Sequence, residues 1–155
     1  GYVNGSLDDI GEMLRHPGTV LGLGDGGAHC GVLCDASLPT FMLTHWARDR
    51  SRGDTLPVEQ VVHHQTRRTA MLYGFEDRGL LQPGYLADLN VIDLDGLGLE
   101  APQMAYDLPA GGKRLIQRAH GYLATVKSGE VVRERDAATG ARPGGVLRGA
   151  QPAPA

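Results

Sequence analysis

Thr19-Val20-Leu21-Gly22-Leu23-Gly24-Asp25-Gly26-Gly27-Ala28-His29 joins a short apolar run to a glycine-rich loop. An apolar run this short, without polar alternation, predicts a strand over Val20–Leu23 buried on both faces, as in a parallel sheet. Before it, Leu7, Ile10, Met13 and Leu14 recur at helical spacing, Ser6 offers an N-cap oxygen, and Asp8 and Asp9 suit the positive end of a helix dipole. Pro17-Gly18 ends that helix. After the loop, Phe41, Met42, Leu43 and Trp46 predict helix over Leu38–Arg50, closed by the polar stretch Asp49–Asp54. Helix, strand, loop and helix in this order is the grammar of an α/β barrel.

The segment Pro57–Tyr73 predicts one long helix. Val58, Val61, Val62, Thr69 and Leu72 form its stripe, Pro57 suits its first turn and Gly74 its C-terminal cap. Beyond Gly74 the pattern changes to short β-type runs, Ala87–Ile92, Leu123–Val126 and Val131-Val132, separated by the turns Pro83-Gly84, Gly111-Gly112 and Ser128-Gly129. This predicts a barrel-derived segment over residues 1–76, a small β-domain segment over 77–150 and a frayed tail over 151–155, where little can be buried. The halves are expected to touch without sharing one core, the β-half keeping its own strands while Val20–Leu23 lacks barrel neighbours.

At 155 residues, 41% apolar and 21% charged, the chain has an ordinary globular composition. A net charge of -3, with no basic cluster longer than Arg67-Arg68, excludes an electrostatic case for nucleic acid or an anionic membrane. No apolar run approaches the roughly 20 residues that cross a bilayer, and no leader pattern opens the chain, so a cytoplasmic location is expected. The first residue is Gly1, not methionine, which suggests a start within a larger protein. Cys30 and Cys34 lie beside His29, three candidate ligands where structural zinc takes four, so both read as reduced, partly buried thiols.

Asp25 is the residue that carries chemistry. A carboxylate at the C-terminal end of a barrel strand faces the active-site mouth, and glycines on both sides allow close backbone approach. There it can take the proton of an attacking water and hand it to a leaving amine. His29 is within reach of the same mouth and can hydrogen-bond a substrate carboxylate or carbonyl. The plainer alternative makes Asp25 a turn former and His29 a solvated loop residue. Gly22, Gly24 and Gly27 also fit a dinucleotide-binding pattern, but Asp49, at the distance required of its acidic partner, lies in a helix-ending stretch and not at a strand end.

Gly22–His29, followed by Cys34-Asp35-Ala36-Ser37 and Leu43-Thr44-His45-Trp46, resembles the eighth barrel strand and loop of amidohydrolases, nearest the N-acyl-D-amino-acid deacylase (D-aminoacylase) branch. Thr66–Ala70 with Tyr73-Gly74 is similar to their last barrel helix, and Asp77–Leu89, with Pro83-Gly84-Tyr85-Leu86-Ala87-Asp88, to their re-entry into a small β-sandwich domain. Asp107–Gly112, Arg118–Tyr122 and Arg142–Gly149 resemble the tail of the D-aminoacylase group.

The resemblance implies a hydrolase of N-acyl-D-amino acids or related amides that uses one or two zinc ions. It implies that Asp25 is the proton shuttle and a candidate metal ligand. The family's other ligands, a His-x-His strand, a bridging residue and later histidines, have no counterpart before Asp25. His16, His45, His63, His64 and His120 match no ligand spacing, and His63 and His64, adjacent on a helix, point about 100° apart. The implied partners are a small amide substrate, the missing N-terminal part of the barrel, and an oligomer if apolar surface stays uncovered. A chain this incomplete is expected to be inactive alone. The rival reading is a non-catalytic assembly piece that completes a barrel from another chain.

Overall fold

The computed structural model describes residues 5–24, 26–27 and 30–154, a mixture of helices and short antiparallel strands. Helix α1 (Asp8–Arg15) forms where the apolar spacing predicts it. Ser6 acts one position before the cap, its Oγ accepting the Asp8 N–H at 3.1 Å. The run Thr19–Gly24 is not a strand. The physical reason is the missing ladder: all strands among the described residues lie between Leu89 and Ala138, so no neighbour can pair with Val20–Leu23.

The next helix is less regular than its sequence pattern suggests. A single 3-10 turn (Asp35–Ser37) leads into α2 (Leu38–Phe41), which widens into a π-helical stretch over Met42–Asp49. Arg50 N–H then bonds five residues back to the His45 carbonyl at 2.9 Å, and the Trp46 carbonyl accepts the Leu56 N–H at 2.7 Å. The expected long helix is two helices, α3 (Val58–Gln65) and α4 (Arg67–Leu72), because Thr66 has φ -121° and ψ -89°. The Thr66 hydroxyl bonds back to the Val62 carbonyl at 2.7 Å, a local bond that competes with the helical ladder. Gly79 (φ +82°) packs into this break, and a Cβ there would stand 2.8 Å from Arg67 Cα. Gly74 (φ +70°) does cap α4, with its own N–H on Met71 O at 3.1 Å and the Phe75 N–H on Ala70 O at 2.8 Å, the paired bonds of a Schellman ending.

In the second half, β1 (Leu89–Ile92), β6 (Tyr122–Lys127), β7 (Glu130–Glu134) and β8 (Ala137–Ala138) form a four-stranded antiparallel sheet in the order β1-β6-β7-β8. Leu89 faces Val126 and Asn90 faces Thr125, whose hydroxyl bonds the Asn90 side chain at 2.8 Å. Strands β2 (Gly98–Leu99) and β5 (Ala119–His120) make one small ladder, β3 (Gln103–Ala105) and β4 (Arg114–Ile116) another. The β6–β7 hairpin turns on Ser128 (φ 52°) and Gly129 (φ 83°), both positive as a two-residue turn of this hand needs. Among the described residues neither a closed barrel nor a sandwich is formed.

Asp88, from the Pro-Gly-x-x-Ala-Asp element, fastens that hairpin. Its carboxylate accepts Lys127 Nζ at 2.9 and 3.0 Å and the Ser128 N–H at 2.8 Å, with Arg78 3.9 Å away. Burial alone would push this carboxyl up, but the Lys127 and Ser128 hydrogen bonds and the Lys127 and Arg78 charges hold it below its ordinary value. Its contribution to stability is therefore present above the unfolded Asp value of about 3.9 and lost as pH falls through the lower folded one. Asp88→Ala is expected to cost about 1.5–3 kcal/mol in urea unfolding at pH 7, and less as the pH is lowered through that window.

The two halves share one core. Leu14, Met42, Leu43, Trp46, Leu56 and Val61 from the helices enclose Leu97 from the β-half, 2% exposed, with Ile92, Leu94 and Tyr122 packed alongside. Polar bonds cross the same seam: Thr40 Oγ1 and the Tyr122 hydroxyl are 2.8 Å apart, and Arg48 donates to the Leu94 and Asp95 carbonyls. The expectation of separate cores is not met, because Leu97, which lies outside every predicted run, fills the helical core. Gln151, the first residue of the expected tail, is bonded to the chain. Gln151 pairs with Phe75 as an isolated parallel bridge, with Gln151 N–H on Gly74 O and Glu76 N–H on Gln151 O, both at 2.8 Å. No helix among the described residues is long and apolar enough to cross a membrane.

Candidate functional site

The loop between Gly22 and Ser37 is where the sequence places chemistry, and Asp25 and His29 themselves lie outside the described residues. What frames them is described. Cys30 N–H bonds the Gly27 carbonyl at 3.2 Å, and the Cys30 carbonyl accepts the Leu115 N–H at 2.8 Å. Cys34 Sγ lies 3.9 Å from the Leu115 carbonyl, so the backbone of one β4 residue holds both cysteines. Both are free thiols, Cys30 buried and Cys34 partly so, as the spacing suggested.

Gly24 and Gly26, on either side of Asp25, meet the 3-10 turn that follows. A Cβ on Gly24 would overlap Asp35 Oδ2 and stand 3.4 Å from Asp35 Cγ, while one on Gly26 would stand 3.6 Å from the Ala36 nitrogen. Asp35 has no role in the sequence reading, which quotes it only within Cys34-Asp35-Ala36-Ser37. An acidic residue opening a turn just before a buried helix was the available signal. Leu23 and Val32 on the same loop are 59% and 88% exposed.

Two of the described histidines, His45 and His64, are held by packing. His45 stacks on Phe41 with centroids 4.8 Å apart and meets Trp46 edge-on at 5.2 Å. Burial, then the Arg50 charge, lower its basicity against the opposing pull of Asp49. His64 is buried, and its Nε2 accepts from Arg68 at 3.2 Å, since a guanidinium has no acceptor to offer. That bond requires the neutral ring, in agreement with a basicity lowered by burial first and then by Arg68 and His63. A histidine that is harder to protonate folded than unfolded contributes stability above about pH 6.5 and loses it as pH falls toward the folded value. Thermal unfolding between pH 7 and 5 should therefore show a declining Tm, with a shallower decline in His64→Gln.

Among the described residues no three His, Cys, Asp or Glu side chains converge as a metal set. The donors present do not by themselves fit a zinc ion. A cleft of about 540 Å³ lined by Arg114, Arg118, His120 and Tyr122 lies over the β-half, and no described residue of the Asp25 loop lines it.

Comparison with known proteins adds the family. The profile of the amidohydrolase family matches residues 3–133. A D-aminoacylase from Alcaligenes xylosoxydans xylosoxydans is 34% identical over 141 residues, which is 90% of this chain and 26% of that protein. The chain thus spans about a quarter of the length of this relative. No solved structure matches it significantly.

Proposed function

The chain belongs to the amidohydrolase family, on its D-aminoacylase branch, and on that premise we propose that it is the C-terminal portion of a cytoplasmic, zinc-dependent hydrolase of N-acyl-D-amino acids or related amides. The supporting observation is the extent of the match, which runs through the whole Asp25 loop and on into β7. In the whole protein this chain contributes the last part of a (β/α)8 barrel and part of the small β-sandwich domain. The zinc ligands, one or two ions' worth, come from outside the described residues, with Asp25 as one candidate.

Asp25 is the proton shuttle. Its carboxylate takes a proton from water as the water oxygen bonds to the acyl carbon, which becomes tetrahedral while the carbonyl π pair moves onto the amide oxygen, to return as the carbon–nitrogen bond breaks. The carbon–nitrogen bond then breaks, and the same proton passes from Asp25 to the departing amine nitrogen. A carboxylic acid and a D-amino acid leave, and Asp25 returns to its starting charge. His29 orients the substrate through its carboxylate or carbonyl.

The whole protein with zinc is expected to release free amine from an N-acetyl-D-amino acid, and the 155-residue chain with zinc to release none. Turnover by the isolated chain that a chelator abolishes would refute its incompleteness. A whole protein inert toward a panel of acylated D-amino acids and simple amides would refute the hydrolase reading. Exposed Leu23, Val32 and Leu33 favour the second reading, an assembly piece that completes a barrel from another chain.

A further inference from the structure

We infer that Asp35 is a positioning residue for the catalytic loop, acting on Asp25 through Gly24, the residue before it; this rests on the assignment of Asp25 as the proton shuttle. A proton shuttle misplaced by about 1 Å can lose on the order of 10² in rate. The turn Asp35–Ser37 meets the loop at Gly24, directly before Asp25.

The Asp35 carboxyl group occupies the space where a Gly24 side chain would begin, and the Ala36 nitrogen and Cβ stand 3.6 and 3.7 Å from the corresponding point on Gly26. The support is rigid on its far side. Ser37 leads directly into α2 and the π-helical stretch, where Thr40, Met42, Leu43 and Trp46 are buried in the shared core. Leu115 fixes the return of the loop through Cys30 and Cys34. Asp35 therefore links a well-packed helix to Gly24, and the absence of a side chain at Gly24 is what admits the carboxylate.

The test has two arms. In the whole protein acting on an N-acetyl-D-amino acid, Asp35→Ala is expected to lower kcat about 10- to 100-fold with KM within about twofold. Asp35→Asn, which keeps the shape and one acceptor oxygen, should recover part of the loss. Asp25→Asn run alongside separates the two ideas: if Asp25→Asn abolishes turnover while Asp35→Ala keeps wild-type kcat, the positioning role is wrong and the shuttle stands. If Asp25→Asn keeps kcat, the shuttle reading fails and takes the catalytic role of Asp35 with it.

The second arm needs no substrate. A methyl at Gly24 must evict the Asp35 carboxylate, so Gly24→Ala and Asp35→Ala remove the same contact. In thermal unfolding of the 155-residue chain the double variant should be no less stable than the worse single variant. Additive losses would show that Asp35 does not hold Gly24 and would overturn the inference whatever the activity of the enzyme.

Discussion

Replacing Asp25 by Asn in the whole protein lowers kcat on the order of 10²–10⁴-fold and leaves KM nearly unchanged, as steady-state hydrolysis of an N-acyl-D-amino acid will show. The asymmetry follows from timing. A carboxylate that moves a proton interacts most strongly with the transition state, so its loss appears in kcat and in kcat/KM together. Asn is the informative substitution because it forms the same side-chain turn with the following backbone as Asp. If Asp25 only shaped the glycine loop, the variant would keep its rate. Metal content measured on the same preparations distinguishes a shuttle, whose loss leaves zinc bound, from a ligand, whose loss releases it.

Leu97→Ala is expected to destabilise the 155-residue chain by about 2–5 kcal/mol, read by urea unfolding. Leu97 is buried to 2% among helical residues although it belongs to the β-half. Backbone close to it leaves little room for collapse around a cavity, since a Cβ on Gly121 would already lie 2.7 Å from Leu97 Cα. Fluorescence of Trp46, in the same cluster, and far-ultraviolet circular dichroism should shift together, because both halves lose the residue that joins them. If the helical signal moves and the sheet signal does not, the halves have separate cores, as the sequence alone suggested.

Much of the architecture was legible because it is local. The spacing of Leu7, Ile10 and Leu14 specifies α1, Gly74 marks the end of α4, and Ser128-Gly129 marks the β6–β7 turn, each through rules that span a few residues. The departures are non-local. Val20–Leu23 has strand composition, but a strand exists only with a partner beside it. Thr66 carries no breaker signal, and its break is matched by Gly79 packing from further along the chain. Leu97 sits between glycines in a turn-rich stretch, so no periodicity could mark it as core. In the candidate site, the loop carrying Asp25 is marked by its glycines, whereas Asp35 was passed over because its contact with Gly24 spans eleven positions.

The bridge between Phe75 and Gln151 gives the chain an order of assembly. Everything from β1 to β8 lies between those two residues, so the sheet forms inside a loop whose ends meet at the close of α4. A polypeptide is made from its N-terminus, and the helices are complete well before Gln151 exists to cover the Gly74 and Glu76 backbone. Closing so long a loop costs entropy that only finished neighbours can offset. The bridge is accordingly expected to form after the helices and the sheet that it encloses. A protease that trims the chain's end would loosen α4 before it touched the sheet.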